Sequence, residues 1–182
     1  MTRNCERVLM SARQHFFAIL FLPFTVTVLV PIILLLLSIW SGISWLFIYP
    51  FSLLTLILGV ILIVVGLITQ YKTNRAFARI GKGTLAPWAP TQHFVAVGLY
   101  RYVRNPMILG VLLTLLGEAI LFGATLIFLC FIVFWTMNHI WFVWREEPDL
   151  ERRFGNKYRE YKQNVPRWIP RRSPWLPKST DK

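Results

Sequence analysis

The stretch Gly98-Leu-Tyr-Arg-Tyr-Val-Arg-Asn-Pro-Met-Ile-Leu-Gly110 joins a basic, aromatic segment to the start of a long apolar run. Pro106 lies where a helix is expected to begin, because proline fixes φ near the helical value and the first turn does not need its N–H. Two arginines and two tyrosines precede it. The stretch therefore predicts a cationic approach loop followed by a helix that enters an apolar environment.

On both sides of this stretch, apolar residues form long blocks that charged segments separate. Of the 182 residues, 55% are hydrophobic and 15% are charged, which indicates an integral membrane protein rather than a soluble domain. The first two blocks are long enough to cross a hydrocarbon core of about 30 Å, and a turn at Gly123 divides the third. We predict a single all-α membrane domain, residues 1–182, with four transmembrane helices at 16–40, 46–69, 107–121 and 125–144.

The twenty Lys and Arg residues predict the orientation. Three precede the first predicted helix, six lie between the second and third, and eleven follow the fourth, whereas loops 38–45 and 122–124 carry none. Under the positive-inside rule, both termini are cytoplasmic in a multi-pass protein. The membrane is the inner or plasma membrane in a bacterium and the endoplasmic reticulum in a eukaryote. Basic segments at an anionic leaflet account for the net charge of +12, so no nucleic-acid partner is expected.

The cysteines and the N-terminal block exclude several other classes. Cys5 and Cys130 cannot form a disulfide framework, and neither has the spacing of a redox or metal motif, so no metal is expected. The first apolar block is longer than a signal-peptide core, and no clear cleavage site follows it. We therefore expect an uncleaved anchor.

The segment between the second and third predicted helices is long and polar but contains several aromatic residues. Residues 71–80 are expected to extend the second helix into the headgroups, with basic side chains reaching to the polar surface. The rest of this segment is a long loop that contains Trp88, Phe94, Tyr100 and Tyr102. Such aromatic content is more typical of a functional segment than of disorder.

The C-terminal segment predicts two short helices beside the membrane. Pro148 is expected to end or bend the fourth helix, Gly155 to end the next, and Pro166 to close the last. Glu146 and Glu147 then face the same compartment as the 98–110 stretch. Taken alone, they are either pocket carboxylates or members of surface ion pairs, which contribute little to stability.

Two ionisable residues inside the predicted helices, Glu118 and His139, have two interpretations each, and two glycines have one. Glu118 is an ionisable residue in a span, which suggests function, but it lies near the outer turn and can reach the interface. His139 is either a packing residue, which we favour, or a pocket donor. Gly59 and Gly66 share one helix face and favour a closely packed neighbouring helix.

The order of these residues resembles the isoprenylcysteine carboxyl methyltransferase and phospholipid methyltransferase superfamily of integral membrane enzymes, over about residues 90–170. The first group that carries the resemblance is Gly98, Tyr100, Arg104, Pro106 and Gly110. The second group is Glu146, Glu147, Leu150, Phe154, Gly155, Tyr158, Tyr161, Val165, Pro166 and Arg167.

The resemblance implies a methyltransferase that uses S-adenosylmethionine in a pocket at the cytosolic face, formed by the loop and the short C-terminal helices. It implies that the cofactor-binding residues are Tyr100, Arg104, Asn105, Pro106, Gly110, Glu146 and Glu147. The candidate catalytic residues are Arg104, Glu147 and Arg167, of which Arg167 either binds a substrate carboxylate or anchors the tail to headgroups. Such side chains suit the cofactor, because carboxylates pair with ammonium, arginine with carboxylate, and aromatic rings with a sulfonium.

Two positions depart from the family pattern: Asn105 replaces the usual His, and Ile108 replaces the usual Tyr. Asn105 can form hydrogen bonds but cannot titrate near neutral pH, so a histidine general base is absent here. An anionic acceptor needs no such base, whereas an amine must lose a proton to a glutamate or to solvent.

The first expectation is therefore an enzyme resembling isoprenylcysteine carboxyl methyltransferases, which methylates a carboxylate or thiol of a lipophilic or membrane-partitioned acceptor. One alternative is an amine or phospholipid N-methyltransferase. Another is a catalytically silent membrane assembly protein on the same scaffold. Membrane lipids are expected partners in each case, and the oligomeric state stays open.

Overall fold

The computed structural model describes residues 24–43, 52–80 and 96–176, and in these ranges it contains helices and no β-strand. This confirms the all-α prediction for the described part of the chain. The helices are α1 (Thr25–Ser41), α2 (Ser52–Ile80), α3 (Pro106–Phe122), α4 (Thr125–Phe154) and α5 (Asn156–Asn164), with a 3₁₀ turn at Gly98–Arg101 before α3.

Two of these helices are long and apolar enough to cross a membrane, over Ser52–Ala76 and Thr125–Phe154. The helices α1 and α3 are shorter apolar helices, and the 17 residues of α3 correspond to about 26 Å at 1.5 Å per residue. The predicted beginnings of the first two helices, at 16–23 and 46–51, lie outside the described residues. The count of four spans and their orientation stay predictions.

Glycines allow α2 and α3 to pack with their backbones almost in contact. A Cβ added to Gly66 would lie 2.7 Å from the carbonyl oxygen of Gly110, and one added to Gly117 would lie 2.7 Å from that of Gly59. Beside this contact, the buried Gln70 side chain donates a hydrogen bond to the Thr114 hydroxyl at 3.1 Å. The predicted close neighbour of the Gly59 and Gly66 face is therefore α3, as expected for small residues between apolar helices.

The turn between α3 and α4 is as tight as predicted. Gly123 adopts the left-handed conformation, with φ of 59°, which glycine reaches without a Cβ clash. A buried apolar cluster holds the two helices together next to this turn. Its members are Val111, Leu115, Ala119, Ala124 and Ile127.

Helix α4 continues through Pro148, so of the two predicted effects of this proline, an end or a bend, the end is not observed, while Pro148 does lie in the first turn of a short α-helical segment. A π-helical segment, Phe142–Glu146, precedes the proline, and regular α-helix resumes over Glu147–Phe154. Proline supplies no N–H to the preceding turn, and the π segment is where the hydrogen-bond register of the helix changes. Helix α4 ends instead at Gly155, whose φ is 57°, and Gly155 was the expected end of this segment.

The residues after α5 fold back against the stretch that precedes α3. The Arg104 N–H donates to the Pro166 carbonyl at 2.9 Å, and the Trp175 N–H donates to the Arg101 carbonyl at 2.9 Å. Further along the tail, the Trp168 indole N–H donates to His139 Nδ1 at 3.0 Å. The favoured packing role of His139 is therefore observed, and both groups of family-like residues lie at the same end of the helices.

Candidate active site

The carboxylate of Glu147 lies at the centre of the site. Arg104 Nη1 approaches its Oε1 atom at 2.8 Å and Arg167 Nε approaches the same atom at 2.7 Å. Glu147 is only 4% exposed. A buried carboxylate needs such cationic partners to stay ionised, so these contacts make the site a buried ion cluster rather than a surface pair.

Lys162 is a third cation in this cluster, and it is not among the site residues predicted from the sequence. Its Nζ atom lies 3.4 Å from Glu147 Oε2 and 2.8 Å from Glu151 Oε1. The hydrogen bond to Glu151 is the largest reason that the pKa of Lys162 is raised. The sequence could have indicated Lys162, because it lies four residues after Tyr158 and therefore on the same face of α5.

The cluster keeps a net positive charge. Three cations, Arg104, Lys162 and Arg167, share two carboxylates, Glu147 and Glu151. In addition, the Nε atom of Arg104 is buried and has no hydrogen-bond partner. Because buried donors in folded proteins normally have an acceptor, this atom is an exception that an anionic ligand group would explain.

Tyrosines surround Arg104 on the side of α5. Burial raises the pKa values of Tyr158 and Tyr161, so both phenols are protonated at neutral pH and can donate hydrogen bonds. The Tyr161 hydroxyl donates to the Tyr100 carbonyl at 2.7 Å, and Arg104 forms a hydrogen bond with Tyr158. These contacts hold the 98–104 stretch against α5.

Glu146 differs from its neighbour Glu147. It is half-buried at the end of the π segment. No Lys, Arg or His in the described ranges lies within 4 Å of its carboxylate. Burial raises the pKa of Tyr100, and the negative charge of Glu146 raises it further. The Glu146 carboxylate therefore has no cationic partner among the described residues and adds negative charge to the surroundings of Tyr100.

The other predicted cofactor residues divide into two sets. Asn105 is half-buried directly before α3, and Pro106 is the first residue of that helix, as predicted. Gly110 instead faces α2, where an added Cβ would lie 2.8 Å from Gln70 Cγ. Its small size serves helix packing, and its proposed contact with the cofactor is a prediction that this geometry does not favour.

The structure gives Arg167 a partner within the chain. Its Nε donates to Glu147 at 2.7 Å, which places this side chain in the ion cluster, and its binding of a substrate carboxylate or of headgroups stays a prediction. Glu118 lies in α3, with its Oε2 atom buried and without a hydrogen-bond partner. Within the described ranges, no group of three or more His, Cys, Asp or Glu residues could hold a metal ion.

Comparison with known proteins agrees with the order of these residues. An uncharacterized protein of Haemophilus influenzae is 41% identical over 63 residues, which cover 35% of this chain and 100% of that protein. The sequence model of the phospholipid methyltransferase family matches residues 54–157, a range that includes nearly all of α2, the whole of α3 and α4, and the Glu146–Glu147 pair. That family is part of the integral membrane methyltransferase superfamily to which the sequence resemblance pointed. The chain therefore belongs to the phospholipid methyltransferase family.

Proposed function

We propose that this protein is an S-adenosylmethionine-dependent methyltransferase that acts on a lipophilic acceptor at the membrane surface. The observation that carries the proposal is the contrast within the Glu146–Glu147 pair. Glu147 pairs with Arg104, Arg167 and Lys162, whereas Glu146 has no Lys, Arg or His within 4 Å in the described part of the chain.

The residues present fit this cofactor. S-adenosylmethionine supplies an electrophilic methyl group on a positively charged sulfur. Glu146 would hold its ammonium group, and Arg104 would hold its carboxylate through the buried Nε atom that has no partner. Asn105 can add a hydrogen bond. The ring of Tyr100 offers a π face to the sulfonium.

The acceptor comes in two chemical classes. We place a carboxylate or thiolate first, because such a nucleophile is already anionic and needs no general base, and Asn105 cannot act as one. In-line positioning away from water is then the main demand on the protein.

A second candidate is N-methylation of an amine, including the amine of a phospholipid headgroup. The name of the matched family, phospholipid methyltransferase, is the reason to consider this candidate. An amine must lose a proton when the new N–C bond forms, and a glutamate or solvent must accept that proton. A membrane protein that only assembles on this scaffold would bind neither cofactor nor acceptor.

Titration of the purified full-length chain with S-adenosylmethionine tests the proposal. We expect saturable binding that Glu146→Gln weakens at least tenfold, because the ammonium group loses its counter-charge. Glu160→Gln is the matched control, since Glu160 lies on α5 and takes no part in the ion cluster. Absence of binding to the unmodified chain in several detergents and lipids would contradict the proposal. Transfer of labelled methyl to carboxylate, thiol and amine acceptors then separates the two classes.

A further inference from the structure

Lys162 and the two arginines of the ion cluster contact different oxygens of Glu147. Arg104 Nη1 and Arg167 Nε approach Oε1 at 2.8 Å and 2.7 Å. Lys162 Nζ lies 3.4 Å from the other oxygen, Oε2. An ionised carboxylate accepts hydrogen bonds at both oxygens. The three cations therefore divide the carboxylate between them, with the lysine on one oxygen and the arginines on the other.

Arg104 contacts Glu147 through one of its terminal nitrogens. The hydrogen bond runs from Nη1 to Oε1. Arginine and carboxylate side chains frequently form two parallel hydrogen bonds instead, one to each oxygen, because the planar guanidinium matches the spacing of the two oxygens. The second bond would need Oε2, where the Lys162 ammonium lies. Lys162 and a second N–H group of Arg104 thus compete for the same oxygen.

A second carboxylate holds the Lys162 ammonium at this position. Lys162 Nζ lies 2.8 Å from Glu151 Oε1, and Glu151 follows Glu147 by one turn of α4. The helix that carries Lys162 is itself fixed, because Tyr158 and Tyr161 of α5 are 2% and 3% exposed. The Lys162 side chain is 38% exposed, so only its charged end takes part in the cluster.

This arrangement has a consequence for the orientation of Arg104. While Lys162 contacts Oε2, the Arg104 guanidinium keeps its Nη1 contact and its buried Nε atom has no hydrogen-bond partner. Without the ammonium, Oε2 would be a buried charged oxygen with one cation fewer, which costs free energy. The guanidinium would then turn to give Glu147 a second hydrogen bond. That turn would move the Nε atom from its present direction.

We propose that Lys162 is a positioning residue that prevents two-bond pairing of Arg104 with Glu147 and thereby keeps the Arg104 Nε–H group directed at the carboxylate of the cofactor. The inference rests on the proposed function, in which this N–H group binds the carboxylate of S-adenosylmethionine. Lys162 acts through Glu147 and Arg104 and does not itself touch the cofactor.

Calorimetric titration of the purified full-length chain with two ligands tests this role. The ligands are S-adenosylmethionine and its decarboxylated analogue, which lacks only the carboxylate. We expect Lys162→Met to weaken binding of S-adenosylmethionine about tenfold, since one charge-assisted hydrogen bond to the ligand is lost. Binding of the analogue should stay the same, because its remaining groups do not use Arg104. A variant that merely loosened the fold would weaken both ligands equally.

Two further variants complete the titration. Lys162→Arg should recover part of the lost affinity, because its guanidinium can also contact Glu147 and Glu151. Lys157→Met is the matched control, with the same substitution on the same helix. Lys157 is exposed, and no carboxylate of the described residues lies within 4 Å of it. We expect this control to bind both ligands as the unmodified chain does.

A measurement without cofactor separates this inference from the proposed function. In protein labelled with ¹⁵N-arginine, the Nε–H resonance of Arg104 is identified by its loss in Arg104→Lys. Lys162→Met should shift this resonance, because the guanidinium turns, whereas Lys157→Met should leave it in place. An unchanged resonance in Lys162→Met would overturn the inference, and so would equal weakening of both ligands or unchanged binding of S-adenosylmethionine. If the unmodified chain binds neither ligand, the proposed function fails, and the resonance alone decides whether Lys162 orients Arg104.

Discussion

At the scale of single residues, the adjacent carboxylates Glu146 and Glu147 have different roles. Successive residues of a helix point about 100° apart, so the turn that directs Glu147 into the cation cluster directs Glu146 elsewhere. The family resemblance gave both residues the same part in the cofactor pocket. In the structure, Glu147 contacts Arg104 and Arg167, whereas Glu146 has no Lys, Arg or His within 4 Å among the described residues, and its contact with a ligand stays a prediction.

Replacement of Glu147 is expected to destabilise the protein. Glu147→Gln removes the charge that Arg104, Arg167 and Lys162 share, and breaking a buried ion pair on one side costs about 3–5 kcal/mol. The free energy of unfolding in mixed micelles is the measurement. Asp149→Asn is the matched control: its pair with Arg153 is 3.6 Å long with the Asp149 side chain 59% exposed, and such surface pairs contribute about 1 kcal/mol or less. Equal stability of the two variants would refute the buried cluster.

At the scale of elements, the contact between α2 and α3 fixes the frame that carries the site. Helix α3 begins at Pro106, directly after Arg104 and Asn105. The position of α3 therefore determines the positions of these two side chains. Gly66 and Gly110 bring the two helices together, and the bond from Gln70 to Thr114 adds a polar contact beside them. A shift of α3 would therefore move the first wall of the candidate pocket.

A methyl group added at this contact is expected to push the helices apart. In Gly66→Ala, the new Cβ would lie 2.5 Å from Thr114 Oγ1 and 2.7 Å from the Gly110 carbonyl oxygen. Overpacking of this kind costs about 1–3 kcal/mol, so we expect a lower midpoint of thermal unfolding. Val65→Ile is the control, because it adds one carbon on the exposed face of the same helix, where Val65 is 45% exposed. A midpoint for Gly66→Ala equal to that of the control would rule out this close contact.

At the scale of the whole molecule, the tail contacts place two distant parts of the chain on one side of the helices. Arg104 and Pro166 are joined by a backbone hydrogen bond, and Arg171 bonds the Tyr102 carbonyl in the same way. The turn at Gly123 lies at the other end of α3. The charge distribution predicts the same separation for the described parts, with the 98–104 stretch and the tail on one side and the turn at Gly123 on the other.

The orientation can be tested by labelling single cysteines in a chain whose native Cys5 and Cys130 are replaced by serine. We expect Ser173→Cys, in the exposed tail, to react with a membrane-impermeant maleimide only after the cells are opened. Ser41→Cys, exposed at the end of α1, should react in intact cells. Reaction of both positions from the same side would contradict the predicted topology. Rapid labelling of Ser173→Cys in intact cells would reverse the orientation.

The sequence by itself determined the local events. Pro106 begins α3, Gly123 forms the turn and Gly155 ends α4 because proline and glycine restrict or extend the allowed backbone angles regardless of distant contacts. The apolar blocks determined that the chain is helical and suited to a membrane. The order of the two family-like groups identified Arg104, Glu147 and Arg167 as candidate site residues.

Only the tertiary structure decided how those residues pair. Arg104 and Arg167, the arginine partners of Glu147, lie 43 and 20 positions away along the chain. Local sequence patterns do not predict contacts between residues so far apart. The same holds for Gly110, whose neighbour Gly66 is on another helix, and for Lys162, which contacts two carboxylates of α4. Hydrogen bonds and ion pairs act over a few ångströms, so their assignment depends on the packing of the helices and the return of the tail.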